Sequence, residues 1–168
     1  MHPSARDEFE RFVHARTPAL TRTAYLLTGD AHLAEDLVQT ALFNAARAWH
    51  RIEGDPEPYV RRILYTQNIS WWRRRRLREA LTPAYDDRAS LAAPGDADLR
   101  ISLEAALAQL TQRQRSVLVL RFFEDLTEVQ AGHALGISSG TVKSTTRAAL
   151  ARLRALAPHL EDLLEEAS

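Results

Sequence analysis

The sequence has no cysteine, which excludes a disulfide framework, a thiolate zinc site and a cysteine nucleophile. It has no apolar run of membrane-spanning length. Its opening, MHPSARDEFERF, lacks the apolar core of a signal peptide, so a cytoplasmic protein without membrane insertion is expected. Histidines stand scattered at His2, His14, His32, His50, His133 and His159, no two at the spacing of a metal-binding helical pair, and neither an HExxH string nor a glycine-rich phosphate loop occurs. The carboxylate neighbours Glu35 with Asp36 and Asp86 with Asp87 fall on a helix face and in a loop-like stretch, not as an acid/base pair held in a pocket. No catalytic activity, metal or cofactor is therefore expected. What is present is 168 residues, 45% of them hydrophobic, enough for one domain or two small ones with modest cores.

Net charge is also lacking, since 22 bases face 22 acids, but the balance conceals blocks of opposite sign. Residues 1–57 carry six arginines against nine acids, and residues 58–78 carry seven arginines and no acid. Residues 79–98 hold one arginine against five acids, residues 99–157 eight bases against four acids, and the tail 158–168 four acids with no base. For a polyanionic partner the local field matters more than the sum, and two of these blocks are basic.

Two helices are expected before the first basic block. One runs from Glu8 to Leu27, with Phe9, Phe12, Val13, Leu20, Ala24 and Leu27 inward and Pro18 expected to break or kink it. The other runs from Ala31 to Trp49, with Leu33, Leu37, Val38, Ala41, Leu42, Ala45 and Trp49 as its apolar face. A separate stripe on the second helix, Asp36, Gln39, Thr40, Phe43 and Arg47, reads either as a solvated face or, because Phe43 would be an exposed aromatic, as a docking surface. Glu53 to Pro58, with two prolines and a glycine, is a loop. In the helix that follows, Val60, Ile63, Leu64 and Ile69 are expected to pack inward. Arg61, Arg62, Tyr65, Asn68, Trp72 and Arg73, Arg74, Arg75, Arg76 are expected outside or at its margins. Rings beside guanidinium groups suit opened nucleic acid, where bases stack and arginines meet phosphates. The plainer reading makes a tryptophan core and the arginine run a solvated end, but seven arginines without an acid repel one another unless a polyanion is near.

Residues 79–98, with four Asp, six Ala, Pro83, Pro94 and Gly95, read as a flexible acidic linker. A second domain over 99–157 holds four helices: one through Leu103, Ala106, Leu107 and Leu110, one capped by Thr111, and a helix-turn-helix from Thr127 to Leu156. Thr127 is placed to cap its first helix, with Val129, Ala131 and Leu135 along it, Gly136 to end that helix left-handed, and Ser138 or Ser139 to cap the second. In the second, Val142, Thr146, Ala149, Leu150, Leu153 and Leu156 share a face, opposite Gly140, Lys143, Ser144, Arg147 and Arg154. Donors on the free side of a helix suit a major groove; an ordinary helical hairpin with a basic face is the alternative.

The strings AEDLVQTALFNAARAW (Ala34 to Trp49), YVRRILYTQNISWWRRRR (Tyr59 to Arg76), LTQRQRSVLVLRFFEDLT (Leu110 to Thr127) and LGISSGTVKSTTRAALARLR (Leu135 to Arg154), in this order, resemble the bacterial RNA polymerase sigma factors. The group is the extracytoplasmic-function (ECF) group of the sigma-70 family, and SWWRRRR resembles its SigE-type actinobacterial subgroup. The resemblance implies an all-α chain of two helical domains. Residues 1–78 would bind core polymerase and the minus-ten element, and residues 99–157 the minus-thirty-five element.

It further implies that Asp36, Gln39, Thr40, Phe43 and Arg47 dock on the polymerase beta-prime clamp helices, with the beta flap as a further contact. Glu53, Asp55, Arg61, Arg62, Tyr65, Asn68, Trp72 and Arg73 to Arg76 would capture and melt minus-ten DNA with one base flipped out, and Ser139, Gly140, Thr141, Lys143, Ser144 and Arg147 would read minus-thirty-five. An anti-sigma factor is an additional candidate partner. The chain departs from the family at Thr40, where an acid is usual, at Thr66 and Ser70, where Asn and Asp are common, and at Gly132, usually Ala. Two rival functions are a helix-turn-helix regulator acting on duplex operators without polymerase, and a helical adaptor whose basic faces bind an acidic protein.

Overall fold

In a computed structural model of the chain, residues 3–81 and 97–157 are described, and every regular element among them is helical. The expected acidic linker lies for the most part, and the acidic tail wholly, outside the described residues. The chain divides into two compact units that part near Arg75.

The first unit holds α1 (Pro3–Thr28), α2 (Ala31–Ala48), a 3-10 turn (Trp49–Arg51) and α3 (Glu57–Leu81) as far as Arg75. Contrary to expectation, Pro18 does not interrupt α1. It is exposed, as is His14, whose carbonyl would have bonded the missing N–H and can turn to water. Burial of Leu20, Ala24 and Leu27 beyond it holds the helix. Gly29 then takes φ +72, with its N–H on the Tyr25 carbonyl at 2.7 Å, and Asp30 caps α2 by accepting from the Leu33 N–H at 2.9 Å.

The α1–α2 hairpin closes on Leu20, Ala24 and Leu27 against Ala34, Leu37, Val38, Ala41 and Ala45. At its far end Phe9 and Phe12 meet Trp49, with ring centroids 5.0 and 5.4 Å apart. Helix α3 contributes Val60 and Leu64 to this core and is tied to α1 by charge. The Glu57 carboxylate accepts from Arg61 at 2.7 Å and pairs with Arg16 of α1 at 3.0 Å, while Arg61 also donates to the Thr23 hydroxyl at 3.2 Å.

The second unit holds α4 (Ala97–Ala108), α5 (Gln112–Leu118) running into a π-helical turn (Val119–Phe123), α6 (Glu128–Leu135) and α7 (Ser139–Leu156). Thr111 and Gln114 form a reciprocal capping box at the start of α5, and Thr127 and Gln130 do the same before α6. The core is Ala106, Leu107, Leu110, Val117 to Leu120, Ala131, Val142, Ala149 and Leu153. Val129 is 59% exposed, whereas Ala131 is buried. Residues two apart on a helix lie about 200° around it, so with Ala131 facing inward Val129 turns away.

Candidate nucleic-acid interface

The turn between α6 and α7 sets the first surface. Gly136 takes φ +67, Ile137 donates back to the Gly132 carbonyl at 3.0 Å, and Ser138 caps α7 by accepting from the Thr141 N–H at 3.1 Å. Gly132 makes the turn possible, because a Cβ there would stand 2.7 Å from the Ile137 carbonyl oxygen. With Val142, Ala149 and Leu153 buried, the opposite side of α7 is bare: Ser139, Gly140, Lys143, Ser144 and Arg147 are exposed and Thr141 half-buried. The Ser144 hydroxyl donates to its own Thr141 carbonyl at 3.1 Å and keeps its oxygen outward as an acceptor. From Gly140 to Arg147 the helix rises about 10 Å, roughly the stacking height of three base pairs. Five of the six residues expected to read a groove are thus exposed on the side of α7 away from its core, with Thr141 half-buried at the margin.

On α3 the outer stripe is Arg62, Thr66, Ser70 and Arg73, with Arg74 and Arg76 also exposed. Three expected members of the surface are placed elsewhere. Tyr65 is 4% and Asn68 0% exposed, because the inward stripe runs Val60, Leu64, Asn68, and Tyr65 sits one turn from Asn68 on that side. Arg61 is half-buried, its guanidinium met by Glu57 and Thr23, so its charge serves the α1–α3 tie. Trp71 and Trp72 are both half-buried and stand edge to face, centroids 4.8 Å apart at 89°, with the Arg75 guanidinium 5.4 Å from each ring. Buried Asn68 accepts from the Trp72 indole N–H at 3.1 Å.

Glu53 and Asp55 border an open groove of about 500 Å³ that continues onto Arg51, Ile52, Pro58 and Tyr59. A neighbouring polar groove of about 370 Å³ runs between Arg47 and Arg51 on one side and Tyr59, Ile63 and Thr66 on the other. Arg51 and Tyr59 were missed by sequence reasoning. Their signal is an arginine and a tyrosine on either side of the Pro/Gly loop, which brings both to one hollow.

The α2 stripe is outward as expected: Asp36, Gln39, Thr40 and Arg47 are exposed, and Phe43 is 64% exposed with Arg47 5.9 Å from its ring. The structure also joins two groups that are far apart in sequence, for Asp36 and Thr40 share the wall of a small cleft with Trp71 and Arg74. No group of three or more His, Asp or Glu that could hold a metal ion occurs among the described residues, and none of their helices is long and apolar enough to cross a membrane.

A capped helix-turn-helix with a bare basic face, in a chain whose other helical unit bears aromatic and arginine side chains, defines a DNA-binding transcription protein of two helical parts. The family model for Sigma-70 region 2 matches residues 12–78, and that for Sigma-70, region 4 matches residues 106–155. The chain is 40% identical over 149 residues to the RNA polymerase sigma-E factor of Streptomyces coelicolor, covering 88% of this chain and 84% of that protein. It is 30% identical over 173 residues to the ECF RNA polymerase sigma factor SigE of Mycolicibacterium smegmatis, covering 98% of this chain and 67% of that one. Among solved structures it is similar to the sigma factor RpoE in complex with the anti-sigma factor NepR from Bartonella quintana. There the TM-score is 0.73 and the identity 25%, covering 90% of this chain and 97% of that chain. The chain belongs to the ECF group of the sigma-70 family of RNA polymerase sigma factors, proteins of promoter recognition and transcription initiation.

Proposed function

We propose that residues 1–78 hold core polymerase and the minus-ten element, that 79–98 link them to the minus-thirty-five reader at 99–157, and that 158–168 form an acidic tail. Asp36, Gln39, Thr40 and Phe43 face the beta-prime clamp helices, and the exposed Phe122, Phe123 and Val129 supply an apolar surface for the beta flap. Arg47 stands between this stripe and the groove walled by Arg51 and Tyr59. The groove beside Glu53 and Asp55 receives a flipped base, and Arg62, Trp72 and Arg73 to Arg76 take the opened strand, with Tyr65, Asn68 and Arg61 behind them in the fold. Lys143, Ser144 and Arg147, with the first turn of α7, read the upstream duplex. An anti-sigma factor, as in the RpoE–NepR complex, competes for one of these faces.

The observation that carries this reading is the bare side of α7, where Lys143 and Arg147 stand one turn apart opposite a buried Val142–Ala149–Leu153 stripe. Run-off transcription from a promoter library tests it, with core polymerase alone and with this protein added. Transcripts that depend on the protein and begin at one pair of spaced elements are expected. Protection of a two-fold symmetric operator by the protein alone, with no polymerase-dependent transcript, overturns the reading.

A further inference from the structure

On α3, Asn68 carries chemistry that the fold does not account for. It is fully buried, and an indole N–H is only a donor, so the bond to Trp72 at 3.1 Å fixes which way the amide faces. The oxygen points to Trp72, and the Nδ2 group is left buried with no acceptor. A leucine fills nearly the same space with no polar group to satisfy, so stability alone favours leucine here. Buried polar atoms left unpaired call for a reason other than packing. The reason lies one turn along, where Trp72 is half-exposed, Trp71 meets it edge to face, and Arg75 lies against both rings. Each contact removes one freedom of the Trp72 ring. The Asn68 bond removes the flip that would point the indole N–H outward.

We propose that Asn68 is a positioning residue for strand opening: it holds the Trp72 indole in the orientation that receives an unstacked base, so the ordering cost is met before DNA arrives. The inference rests on Trp72 taking the opened strand. Asn68 touches no DNA itself and acts through the ring.

The test uses the full chain assembled with core polymerase, and follows promoter opening by permanganate reactivity of unpaired thymines. Asn68→Leu is expected to slow opening about five- to tenfold, while the urea midpoint of the free protein stays level or rises and core-polymerase binding is kept. In ¹⁵N spectra its Trp72 indole N–H resonance shifts and exchanges faster with solvent. Trp72→Ala separates the two claims. Opening at the unaltered rate in Trp72→Ala removes Trp72 from the strand path and the present inference with it. Slow opening in Trp72→Ala beside an unaltered rate in Asn68→Leu overturns the positioning role alone. A loss of opening in Asn68→Leu that matches a fall in its urea midpoint overturns it too, as the mark of a merely structural residue. The unaltered protein gives a check that needs no variant: a Trp72 indole N–H exchanging as fast as free indole overturns the bond on which the role depends.

Discussion

At the scale of single residues, two backbone positions leave little choice of side chain. Alanine at 132 gains about 1 kcal/mol of helix propensity over glycine, and the family usually has it there. In this chain its Cβ would press to 2.7 Å against the Ile137 carbonyl, a backbone atom that cannot swing aside. Overpacking of this kind costs about 1–3 kcal/mol, so Gly132→Ala is expected to lower stability in urea despite the better propensity, and to shift the α6–α7 turn. Asp125 stands at φ +52 where the chain leaves the π-helical turn. Asp125→Ala is expected to lose about 1 kcal/mol and Asp125→Gly nothing, because only the former puts an unassisted Cβ in the left-handed region. Urea titration of the two variants side by side checks the sign.

Among the elements, α7 carries most consequence because its first turn is both a helix end and, on the proposed function, the reading head. Removing the Ser138 cap by Ser138→Ala is expected to cost about 1 kcal/mol and, if the proposed function holds, to weaken upstream-element binding beyond that loss, as the Thr141 N–H it releases lies in the first turn of α7. Arg147→Ala is expected to relax discrimination by about 1–3 kcal/mol per lost base contact. Holoenzyme binding to matched and scrambled upstream elements measures it, and equal losses on both would reassign Arg147 to phosphate. Helix α3 shows how an element divides its sides: Val60, Leu64 and Asn68 face the core, while Arg62 and Arg73 face out. Arg73 and Arg76 therefore make better probes of the DNA path than Arg75, which is pressed against two tryptophans.

At the scale of the molecule, zero net charge coexists with a DNA-binding role because the acids and bases are segregated along the chain. Changing Arg73 and Arg76 together to alanine is expected to weaken holoenzyme binding to every promoter alike and to flatten the log–log salt dependence by about 1.5 to 2, from two phosphate contacts. An unchanged slope takes both out of the DNA path. Much of this organisation was legible in the sequence, since it rests on local rules. Caps at Asp30, Thr111, Thr127 and Ser138, the left-handed Gly136 and the outward Phe43 follow from hydrogen-bonding groups and helical spacing within a few residues. Tertiary contact decided what spacing could not. One residue turns a helix face by 100°, so the placement of Tyr65 and Asn68 depended on where α3 meets the rest of its unit. The Arg16–Glu57–Arg61 tie joined charges that no local pattern pairs, and folding alone set Asp36 and Thr40 beside Trp71 and Arg74. The sequence by itself determined which helices form and which faces are charged, because those are short-range matters of propensity and periodicity. Which arginines remain exposed was decided only by packing, which compares residues far apart along the chain.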